Sequence, residues 1–140
     1  MGYLDEYGVK EAGRERQIKR ALLVLLAVLV LGGSLSYWLK NYRQEKRVKE
    51  FLALLERGDY PAAYTFWGCR VEAPCTHYDY KSFLEDWGPS SPVSKLRTYR
   101  LKSSHERGSG VEIAVVLNDR QEVKLWVEKS NGVVGFAPAL

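Results

Sequence analysis

The sequence predicts an α+β domain behind a single membrane-spanning helix. Three observations carry this prediction. The run "ALLVLLAVLVLGGSLSYWL", Ala21 to Leu39, holds no charged residue. Three later segments place apolar residues at helical spacing, and from Val93 onward the apolar period changes to two. Helices gathered on one face of a curved antiparallel sheet would bury all three stripes.

The apolar run is long enough to span a bilayer. At about 1.5 Å per residue it reaches roughly 28 Å, close to the thickness of a hydrocarbon core. A chain of 140 residues has room for one domain, and a domain that small cannot hide a helix apolar on all sides. Tyr37 and Trp38 stand at one end of the run, where amphipathic rings favour the headgroup layer. A cleaved signal peptide fits less well: the core is too long and no A-x-A site follows it. Residues 1–20 read as a cytoplasmic tail and 21–39 as the span. No proline or glycine falls between Leu39 and Gly58, so residues 40–58 read as a connecting helix that continues the span unbroken into a domain at 44–140.

Within that domain Val48, Phe51, Leu52 and Leu55 form one helical stripe that Gly58 can stop. Asp59 can cap a second helix with Pro61 in its first turn, where Tyr60, Ala63, Tyr64 and Trp67 repeat the spacing. A third follows Asp79, with Tyr80, Phe83, Leu84 and Trp87, and "GPSSP" ends it. Val93 to Leu101 then reads as a strand and "SSHERGSG" as a loop. Val111, Ile113, Val115 and Leu117 alternate onto one face, as do Val123, Leu125 and Val127 after the "NDR" turn. Asn131-Gly132 marks a last hairpin.

Charge excludes one class of partner. The net charge is +4, but much of the basic charge flanks the apolar run. No basic stripe interleaved with aromatics exists in the globular part, so nucleic acid is not an expected partner.

The two cysteines, Cys69 and Cys75, lie in "FWGCRVEAPCTHY". Four readings compete: a disulfide around Pro74, a zinc site, a redox pair and two buried free thiols. Zinc wants four ligands, and Cys69, Cys75 and His77 supply at most three. A thioredoxin-type centre wants CxxC, which is absent. The disulfide is the expected reading, with free thiols as its alternative. It also sets the expected topology. The five basic residues before the span (Lys10, Arg14, Arg16, Lys19, Arg20) balance the five after it (Lys40, Arg43, Lys46, Arg47, Lys49). Disulfides belong to oxidising compartments, which puts the N-terminus in the cytoplasm and residues 41–140 outside the cell membrane.

The segments "ALLERGDYPAAYTFW", "YKSFLEDWG" and "VKLWVEKSNGVVGFAPA" resemble the nuclear transport factor two-like superfamily, whose cone-shaped fold is also called cystatin-like or ketosteroid-isomerase-like. The likeness covers about residues 44–138. It rests on element order and the "GDYPAAY" step, with no catalytic signature. The sequence departs from the family after the last turn glycine, where many members carry tryptophan and this chain reads Val133, Val134, Gly135, Phe136. The resemblance implies a cone of about three helices on the sheet, a cavity near Tyr64, Trp67, Phe83, Trp87 and Tyr99, pairing through the open sheet face, and a bacterial membrane-anchored protein.

Family enzymes place an acidic base and phenolic donors inside the cone. Here Asp79 reads as a helix cap, and Glu85 and Asp86 lie off the apolar stripe. His77 and His105 have no partner pattern, and GxSxG, HExxH and phosphate-binding loops are absent. No catalytic residue, metal or cofactor is therefore expected. Trp126 alternates with the apolar face of its strand and should project from the other side, as an interaction candidate. The expected function is a non-catalytic interaction domain: an accessory subunit of a membrane complex, or a homodimer. The alternative is a small-ligand binder or ketosteroid-isomerase-like enzyme using the cavity.

Overall fold

The structure, a computed structural model, describes residues 3–139, with side chains from residue 11 onward. The outermost residues of the expected tail and domain (1, 2 and 140) lie outside the described residues. The chain divides into two compact units at Lys40/Asn41.

The first unit is helix α1, Tyr3–Leu39. It contains one stretch long and apolar enough to cross a membrane, with none of that window buried. Leu22, Leu23, Leu29 and Leu31 are each more than half exposed. In water such a surface is unfavourable at about 25 cal/mol per Å², and a hydrocarbon solvent removes that cost.

The expected unbroken helix through residue 57 is corrected. A turn at Lys40 and Asn41 separates α1 from α2, Tyr42–Arg57. Asparagine is a weak helix former. Asn41 leaves helical geometry at φ −107° and ψ 10°. Its side chain donates to Ser104 Oγ at 3.3 Å, while its carbonyl accepts from the Glu45 N–H at 2.9 Å and starts α2.

The second unit is α+β. Val48, Phe51, Leu52 and Leu55 of α2 are all buried, as their spacing requires. Gly58 ends the helix in the left-handed region at φ 75°, which glycine adopts without strain. Asp59 Oδ1 then accepts from the Ala62 N–H at 3.3 Å and caps α3, Tyr60–Tyr64. This helix is short and tightens into a 3₁₀ turn, Thr65–Trp67. Asp79 Oδ1 accepts from the Ser82 N–H at 2.8 Å and caps α4, Tyr80–Trp87.

Four strands follow: β1 (Tyr99–Arg107), β2 (Gly110–Leu117), β3 (Gln121–Glu128) and β4 (Val134–Phe136). They form one antiparallel meander in the order β1-β2-β3-β4. The expected first strand is displaced. Residues 93–98 form a loop, and most of the segment read as a loop, Ser103 to Arg107, is strand. The cause is position. β1 is an edge strand exposing much of its polar surface, so "SSHER" satisfies its backbone on β2 with few apolar residues. Val93 and Leu96, read as strand residues, are buried from the loop instead.

The core lies between α2, α3 and α4 and one face of the sheet. That face presents Val111, Ile113, Val115 and Leu117 of β2, Leu125 and Val127 of β3, and Val134 of β4. Ile113 pairs with Leu125, Val111 with Val127 and Val127 with Val134, so the alternation seen in sequence meets in register.

Candidate functional site

Three places hold the residues singled out by sequence: an aromatic cluster, the cysteine loop beside it, and the sheet face turned away from the core.

The aromatic cluster is centred on Phe51. Its ring lies 4.9 Å from that of Trp67, 5.2 Å from Trp87, 6.0 Å from Phe66 and 6.3 Å from Phe83, at tilted or edge-on angles that aromatic quadrupoles favour. Tyr64 and Phe83 are fully buried, and their rings are 5.3 Å apart. The Trp87 ring stacks on Phe136 at 5.8 Å. Four of the five cavity candidates (Tyr64, Trp67, Phe83 and Trp87) thus pack on one another or on Phe51. Tyr99, half-buried on β1, packs against the same core from the sheet side.

Tyr64 connects this cluster to the cysteine loop. Its hydroxyl donates to the Tyr78 carbonyl at 2.6 Å and accepts from the Cys75 N–H at 3.1 Å. A buried hydroxyl must find such partners. Cys69 and Cys75 stand at disulfide-bonding distance, with Cα atoms 5.4 Å apart. Cys69 is buried and Cys75 half-buried. Among the described residues no group of three or more His, Cys, Asp or Glu could hold a metal ion.

The titratable groups nearby take separate roles. Burial first, and then the hydrogen bond to Asp86, push the Tyr78 hydroxyl far above the ordinary phenol range. That hydroxyl donates to Asp86 Oδ2 at 2.8 Å, and Asp86 is exposed. Hydrogen bonds from Ser82 hold the Asp79 carboxyl below its usual value, in keeping with its capping position. Glu85, His77 and His105 are exposed.

The outer sheet face carries Trp126. It pairs with Glu112 on β2 and Gly135 on β4. The indole is half-buried, donates from Nε1 to Glu128 Oε2 at 3.3 Å, and lies on Gly110. A Cβ at Gly110 would run into the ring, so this glycine is what lets the indole pack against the β2 backbone. Around it the face is laced with charge. Glu112 is nearly buried between Arg107 at 3.5 Å and Lys124 at 3.6 Å. Lys102 meets Glu122 at 2.7 Å, which lowers the Glu122 pKa.

Two residues that sequence reasoning passed over organise these surfaces. Arg47 donates from Nε to the Gly132 carbonyl at 3.2 Å and sets its guanidinium 4.2 Å from the centre of the Phe66 ring. Asn118 holds the 93–98 loop. Its Oδ1 accepts from the Arg97 and Thr98 N–H groups at 2.8 and 3.3 Å, and its Nδ2 donates to the Val93 and Lys95 carbonyls at 3.1 and 3.4 Å. The signal was available in the "NDR" turn, since asparagine tolerates the left-handed conformation it takes here, φ 50°. Asn118→Ala is expected to lower stability by about 1 kcal/mol, the scale of a net hydrogen-bond loss. Chemical denaturation followed by circular dichroism measures it, and an unchanged midpoint would show that the loop holds itself.

No family model, no curated protein and no solved structure matches this chain.

Proposed function

We propose that this chain is a single-pass cell-membrane protein whose residues 41–140 form an extracytoplasmic, non-catalytic interaction domain of the nuclear transport factor two-like kind. It works as an accessory subunit of a membrane complex or as a homodimer. One observation carries the contact reading: Trp126 lies on the sheet face opposite the core, on a bed made by Gly110, among charges of both signs. A face holding both signs can match itself across a two-fold axis, and an indole is a common anchor at the centre of interfaces. The aromatic packing around Phe51 supports the same reading, because rings in mutual contact leave little room for a substrate.

The enzyme alternative would rest on Tyr78 and Asp86. A carboxylate base gains strength from desolvation, and Asp86 is exposed. That observation favours contact over catalysis.

The test is Trp126→Ala on the full chain in detergent. Self-association, read by sedimentation equilibrium, and retention of membrane partners, read by pull-down, should weaken by about 2 kcal/mol, or roughly 30-fold. Circular dichroism should show the fold retained. A wild-type chain that neither self-associates nor retains a membrane partner would overturn the reading. Unchanged association in the variant would remove Trp126 from it.

A further inference from the structure

We infer that the outward face of α2, through Arg43, Lys46 and Lys49, binds anionic lipid headgroups beside the end of the span. The inference rests on the membrane reading above and adds a ligand to it.

These three residues lie three apart along α2, on the side away from the buried stripe of Val48, Phe51, Leu52 and Leu55. Arg43 and Lys49 are exposed and have no carboxylate partner among the described residues. Lys46 meets Glu50 only at 3.9 Å, with its side chain 61% exposed. Arg47 is different: it is committed to Gly132 and Phe66 and is not counted. Glu45, the acid nearest the start of the helix, is turned to Ser104, whose hydroxyl donates to it at 2.6 Å. The outward face is therefore basic at its start.

Its distance from a bilayer is bounded by the chain. Two residues, Lys40 and Asn41, join Leu39 to Tyr42, a reach of at most about 11 Å. Each further residue of α2 adds about 1.5 Å. Arg43, Lys46 and Lys49 thus stay within about 13, 17 and 22 Å of Leu39, in the neighbourhood of the headgroup layer. Tyr37, Trp38 and Tyr42 are 80%, 82% and 54% exposed and mark this same end. Interfacial aromatics beside cations are the expected composition where a span meets charged headgroups.

A tryptophan-quenching experiment tests this on the full chain. The protein is reconstituted into phosphatidylcholine vesicles containing a fraction of either brominated phosphatidylglycerol or brominated phosphatidylcholine, with bromines near the headgroup. Trp38 reports the lipid beside it. Trp67, Trp87 and Trp126 belong to the domain and give a common background. The wild type should be quenched more by the anionic lipid, and 0.5 M salt should erase the preference. Each cation near an anionic surface is worth about a fivefold preference. Arg43→Ser/Lys46→Ser/Lys49→Ser should therefore lower the preference at least about fivefold. Lys19→Ser/Arg20→Ser, roughly 27 Å away along the helix, should leave it unchanged. Equal quenching of the wild type by both lipids, or an equal effect of the two sets of substitutions, would overturn the inference. Failure of either brominated lipid to quench any fluorescence would instead overturn the membrane reading itself.

Discussion

Phe51→Ala should destabilise the domain by about 3–5 kcal/mol, the range for truncating a fully buried phenylalanine. Phe51 is wholly buried and meets Phe66, Trp67, Phe83 and Trp87 at once. The loss has two parts: the apolar surface no longer removed from water, and the cavity left because the surrounding rings cannot collapse. Collapse is hindered on three sides. Trp67 is held against Phe136, Trp87 is stacked on it, and Tyr64 is fixed by its two hydrogen bonds. For a domain of about 100 residues such a change lowers the melting midpoint by more than about 12 °C. Thermal unfolding followed by tryptophan emission reads it, since Trp67 and Trp87 touch the deleted ring. Phe51→Leu should cost less than half as much. A drop below about 1 kcal/mol for the alanine variant would mean that Phe51 is not the centre of this core.

Removing the cysteine pair should cost about 2–4 kcal/mol. The bridge closes a short loop, with a sequence separation of 6, so the restored freedom of the unfolded chain sits at the low end of that range, about 2 kcal/mol. A native-state cost adds to it. The Cys75 N–H and the Tyr78 carbonyl both meet the Tyr64 hydroxyl, and a loosened loop would leave that hydroxyl buried without partners. Cys69→Ser/Cys75→Ser should unfold at lower denaturant than the wild type, and a reductant should move the wild type toward the variant. Mass spectrometry after alkylation without reduction checks the pairing itself. Two alkylated thiols in the native protein would remove the bridge and, with it, the main argument for an extracytoplasmic domain.

Sequence pattern was most informative where one physical demand dominated. The stripe Val48, Phe51, Leu52, Leu55 is buried in full because a helix with one apolar face has one way to bury it. Asp59 and Asp79 cap their helices because orphan N–H groups at a helix start need an acceptor. Trp126 falls opposite the core because strand side chains alternate. Pattern was least informative where partners decide. The second part of β1, from Ser103 to Arg107, reads as a loop because an edge strand takes its order from β2 and not from its own apolar residues. Val93 and Leu96 read as strand because burial in a loop looks the same in sequence as burial in a sheet. At the turn of Lys40 and Asn41, the Asn41 side chain reaches Ser104, sixty-three residues away, a contact that no local spacing reveals. The aromatic residues read as lining a cavity, and the contacts among their rings depend on how α2 lies on α3 and α4.

The meander leaves two strand edges open, and each is blunted. β4 has three residues, too few to template a neighbour. β1 is interrupted between Leu101 and Ser103, where Lys102 is an extra residue in the ladder, its ammonium turned across the outer face to Glu122. Unpaired edges invite strand addition from other chains, and short length, bulges and lysine are the usual deterrents. The matter is sharper for molecules confined to two dimensions, where the same protein meets its copies far more often than in free solution. Among the described residues neither edge offers a long, regular strand along which the backbones of crowded copies could pair into an open-ended fibre.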